Sequence, residues 1–140
     1  MVSFVHGLVA MVFSGYHVFT YYSECGATNT LYQRNVMVFS LGYFIYDFFG
    51  MMYEGILDKT MVLHHSMSAF GLFLPLYENI QGNYVMMAVF LSEVSNPPMT
   101  LRHILRLTGM RYTRIYEVSE LAFILLYIHA RVLAGTPIVY

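Results

Sequence analysis

The sequence predicts an all-α membrane protein of about five transmembrane helices, and three observations predict it. Of its 140 residues, 58% are hydrophobic and only 11% are charged, and the mean hydropathy is +0.57; soluble domains carry about 25% charged residues. The hydrophobic residues collect in five windows close to the ~20 residues that cross hydrocarbon as a helix. Alternation of period two, the mark of a membrane β-barrel, is absent from all five.

The first window runs from Met1 to Tyr22. Its opening, MVSFVHGLVAMVFSGY, has no positive n-region and no small-residue cleavage site, so it reads as a membrane span rather than a removable signal. A polar stretch, SECGATNTLYQRN, separates it from the second window, Val36 to Met52. The turn-prone YEGILDK leads to the third, Thr60 to Tyr77, and ENIQG leads to the fourth, Asn83 to about Arg102. Pro97 and Pro98 sit inside that fourth span. They remove two amide donors at membrane depth, and broken backbone is tolerated there only against protein or a wet cavity. The basic connection HILRLTGMRYTR precedes the fifth window, Ile115 to Ala134. No internal repeat is visible, which argues against a transporter built from duplicated halves.

Net charge is −1 and no basic run is long enough to follow a phosphate backbone, so nucleic acid is excluded as a partner. The single cysteine, Cys25, forms neither an internal disulfide nor a multi-cysteine metal site. His64 and His65 are adjacent and so point about 100° apart on a helix, without the i, i+4 spacing of helical zinc pairs. No metal and no cofactor is expected. Arg102, Arg106, Arg111 and Arg114 surround the fourth connection and place that loop on the cytosolic or matrix side.

With that orientation, counting about 1.5 Å per residue from the basic-loop ends of the spans puts His6, Asp47, His64, His65, Glu93, Asn96 and Glu120 at one depth, about 6 to 14 Å in. Ionisable groups inside hydrocarbon cost several kcal/mol unless paired or hydrated. Their gathering predicts a polar intramembrane cavity, with walls rich in Phe, Tyr and Met that suit an acyl chain. Glu120 has a plainer alternative, since it can pair with the neighbouring arginines. His17, near the end of the first span, is expected to be solvated or snorkelling.

The same residues carry a family resemblance. VSFVHG with a following Ser-Gly-Tyr, then SLGYFIYD, LHHSMSAFG and SEVSNPPMTLR, and finally Arg131 ahead of Gly135 and Pro137, together resemble the TLC domain. That family includes ceramide synthases, translocating-chain-associating proteins and TLC-domain-containing proteins linked to membrane lipid composition. The resemblance covers nearly the whole chain, 1–140, and implies a partial TLC-type helical bundle lacking the family's last helix. The match is closest to the TLC-domain-containing branch, through Glu93, Ser95 and Pro97. Ceramide synthases resemble the chain at the His64/His65 pair, but where they carry His-Asp-x-x-Asp this sequence has Ser92, Glu93 and Asn96. Acyl transfer from acyl-CoA is therefore not supported.

The expected function is that of a multi-pass integral membrane protein that binds or influences membrane lipids and bears on lipid homeostasis. If a reaction is catalysed, His64 or His65 is the candidate base, with Asp47 orienting it. His6, Asp47, His64, His65, Glu93, Asn96, Glu120 and, through the resemblance, Arg131 are the candidate cavity residues. The alternative is a non-catalytic accessory subunit of a larger membrane complex, with other membrane subunits as partners. The resemblance implies the endoplasmic reticulum, with a mitochondrial or other organellar membrane as the alternative.

Overall fold

The computed structural model describes residues 2–21, 26–56 and 58–130. Among these the regular structure is helical: α1 (Val2–Thr20), α2 (Leu31–Glu54), α3 (Lys59–Glu78), α4 (Gly82–Glu93), α5 (Asn96–Leu107) and α6 (Arg114–Ile128). Among the described residues the five predicted windows carry five helical stretches, the fourth in two pieces; Met1, Tyr22 and positions 131–134 of those windows lie outside the described residues.

Local chemistry sets the ends. The second helix begins well before the expected Val36, because Thr30 and Gln33 form a capping box that satisfies two amides of its polar first turn. Asp58 caps α3 by accepting from the amide of Met61 at 2.8 Å. Thr113 caps α6 through the amide of Tyr116. The fourth stretch breaks at Val94 and Ser95, and Pro97 and Pro98 fall in the first turn of α5, where a missing amide costs least. Part of the basic connection is thereby helical, since α5 continues to Leu107.

The chain forms two compact units, residues 17–86 and residues 1–16 with 87–140. In the first, α2 packs on α3 across a short connection; in the second, α5 packs on α6. Buried polar side chains outnumber buried apolar ones among the described residues, while large apolar side chains such as Phe19, Tyr53, Leu31 and Leu63 stand exposed. Hydrocarbon offers apolar groups no reason to hide and polar groups every reason to, so this inversion is what a membrane bundle requires. One described helix, α2, is by itself long and apolar enough to cross a membrane.

Candidate functional site

Asp47 and His65 meet across the α2–α3 pair of the first unit. His65 Nε2 lies 2.9 Å from Asp47 Oδ2, and the imidazole is 6% exposed against 26% for the carboxyl. The second ring nitrogen, Nδ1, lies 3.1 Å from the carbonyl of Met61 one turn back on α3. A carbonyl only accepts, so Nδ1 carries a proton and donates it. One further proton then lies between Nε2 and Oδ2, and the pair is neutral overall wherever along that bond the proton sits. A neutral, hydrogen-bonded pair is the form in which ionisable groups are cheapest to hold away from water. Phe44 packs edge-on against both His64 and His65, with ring centroids 5.9 and 5.6 Å away. The offset between adjacent helical positions turns His65 inward and leaves His64 exposed, its ring edge-on to that of His65.

A second polar cluster in the same unit lies at the other end of α2. Gln33 Oε1 accepts from the amide of Thr30 at 2.8 Å, which fixes the orientation of the side-chain amide. Its Nε2 therefore donates, to His17 Nε2 at 3.0 Å and to Asn83 Oδ1 at 2.7 Å. His17 must accept there and carries its proton on Nδ1. The expectation of a solvated or snorkelling His17 is corrected: the residue is buried and its ring stacks near Tyr21 and Tyr32. Asn29 completes the cluster by donating to the carbonyl of Pro75 at 2.7 Å and accepting from the amide of Gly82 at 2.8 Å. One side chain thus serves a last-turn carbonyl of α3 and a first-turn amide of α4, both of which lack intrahelical partners. Gly82 is required here, since a Cβ would stand 2.6 Å from Gln33 Oε1 and 2.8 Å from Asn29 Oδ1. The Thr30-x-x-Gln33 spacing was the one signal in the sequence that pointed to this cluster. Between the two clusters, on the same face of α2 at seven-residue spacing from Gln33 and Asp47, Ser40 is buried and its hydroxyl finds no partner among the described residues.

In the other unit, Asn96 Nδ2 donates to Glu93 Oε2 across the α4–α5 break. The pair lies against α1 at Gly7, where a Cβ would stand 2.8 Å from Glu93 Oε2 and 3.5 Å from Asn96 Nδ2. His6, the neighbour of Gly7, is buried, as is Glu93. Glu120 accepts from Arg102 and from the hydroxyl of Tyr116, each at 3.3 Å, so its described contacts are those of a tie between α5 and α6. Arg102 also lies over the ring of Phe123, 5.2 Å from its centroid. Arg131 lies outside the described residues.

A helical fold that, among the described residues, buries more polar than apolar side chains and exposes many large apolar ones is that of a membrane helical bundle. Its sequence matches the family model of the TLC domain over residues 1–140, and the chain belongs to that family. No solved structure matches it.

Proposed function

We propose that this TLC-domain protein binds membrane lipid, and that the Asp47–His65 pair is the polar contact for the lipid within the unit formed by residues 17–86. The observation that carries the reading is the pair itself: a neutral acid–imidazole couple, one member buried and the other part-exposed, between helices that expose many large apolar side chains. Intramembrane ionisable groups of this kind mark ligand or ion positions by default. The buried Glu93, its partner Asn96 and His6 are further polar contacts of the other unit under the same reading. The departures from the ceramide-synthase pattern at Ser92, Glu93 and Asn96 favour lipid binding over acyl transfer.

The test is native mass spectrometry of the purified protein with lipid analysis of what it retains. Retained lipid is expected with the natural sequence. It should fall by about tenfold when Asp47→Ala and His65→Ala are combined, a double change that leaves no orphaned partner and so spares the fold. An unchanged lipid profile in the double variant, with large protein partners co-purifying instead, overturns lipid binding in favour of an accessory-subunit role.

A further inference from the structure

We infer that the atom of this pair that meets the ligand is Asp47 Oδ1, and that its ligand is a lipid head group that donates a hydrogen bond, such as a free hydroxyl. The inference rests on the lipid-binding reading and reverses the roles expected for the two residues: His65 orients Asp47, and Asp47 faces the ligand. Both ring nitrogens of His65 are committed, Nδ1 to the carbonyl of Met61 and Nε2 to Asp47 Oδ2. The ring is also buried. It has no lone pair left to accept a proton from a substrate. Asp47 differs on each count, being part-exposed with Oδ2 engaged and Oδ1 accepting from no described residue. A carboxyl oxygen so held accepts whether the shared proton rests on Nε2 or on Oδ2, so the ligand must supply the hydrogen. Phe44 and His64, which pack beside the pair, form the apolar and aromatic border of the position.

The probes are a diacylglycerol, which has a free hydroxyl, and its O-methyl ether, which only accepts. They compete in mixed micelles for the full chain, with retention read by native mass spectrometry. The natural protein is expected to prefer the hydroxyl probe by up to about tenfold, the net worth of one hydrogen bond. Asp47→Asn keeps an acceptor for His65 and turns a side-chain NH2 toward the ligand, so the preference should disappear or invert. His65→Ala should weaken retention of the hydroxyl probe, and His65→Gln, whose amide can still donate to Oδ2, should recover it. If the imidazole itself met the ligand, His65→Gln would be as weak as His65→Ala, and that result overturns the assignment. Equal retention of both probes by the natural protein overturns it too, while leaving lipid binding intact. Retention of neither probe overturns the lipid-binding reading and this inference together.

Discussion

Ser40 is 1% exposed, and its hydroxyl has no hydrogen-bond partner among the described residues. A buried donor in that state has lost water and gained nothing, at about 1–3 kcal/mol. Ser40→Ala is therefore expected to leave stability unchanged or raise it by about 1 kcal/mol, as read by thermal unfolding in detergent. A loss of more than ~1 kcal/mol would mean that the hydroxyl holds an ordered water with partners of its own. Gly82 stands at the opposite extreme. Gly82→Ala drives a methyl group into Gln33 and Asn29, and unfolding should move down by about 1–3 kcal/mol because the buried amides must separate. Some of this was legible in the sequence. Asp47, His64 and His65 stand out as ionisable groups inside apolar windows, and the angle between adjacent helical residues already said that only one histidine could turn inward. The partner of His17 was not legible, because Gln33 comes from another helix and no periodicity links the two.

At the level of elements, the Asn29 side chain ties the end of α3 to the start of α4, and the backbone adds an isolated bridge between Thr28 and Ile80. Asn29→Ala removes both side-chain bonds and orphans a helix-end carbonyl and amide. A loss of about 2–4 kcal/mol is expected, with faster hydrogen exchange confined to the last turn of α3 and the first of α4. Asn29→Asp keeps the acceptor for Gly82 but sets a carboxyl oxygen against the carbonyl of Pro75, and it should recover little of the loss. Hydropathy located the helices and failed at their ends. The second helix opens with Gln33 and Arg34 in its first turns, which a window seeking apolar residues passes over. The break near Pro97 was legible because proline acts locally. The extension of α5 to Leu107 was not, since its basic residues read as a loop until their packing against α6 is known.

For the molecule as a whole, the arginines at 102, 106, 111 and 114 remain the strongest indication of orientation. With Cys25 replaced by Ser, a cysteine in place of Tyr112, which is almost fully exposed, should react with an impermeant thiol reagent from the cytosolic or matrix side. A cysteine in place of the exposed Ala27 should react from the opposite side, and the reverse pattern overturns the orientation. The class of the fold was legible from composition and span length alone, because hydrocarbon imposes both. The pairing of polar side chains was legible only as a need for partners, without their identities.

The neutrality of the Asp47–His65 pair has an electrical consequence. A unit charge carried across a whole bilayer exchanges about 2.3 kcal/mol with every 100 mV of membrane potential. The proton shared by this pair travels on the order of 1 Å along one hydrogen bond, against a hydrocarbon thickness of about 30 Å. The field can therefore do less than about 0.1 kcal/mol of work on it. A neutral hydroxyl-bearing lipid, such as a diacylglycerol, brings no net charge to the position either. Its retention in sealed vesicles is expected to be the same with and without an imposed potassium diffusion potential, which makes the position blind to whether the surrounding membrane is energised.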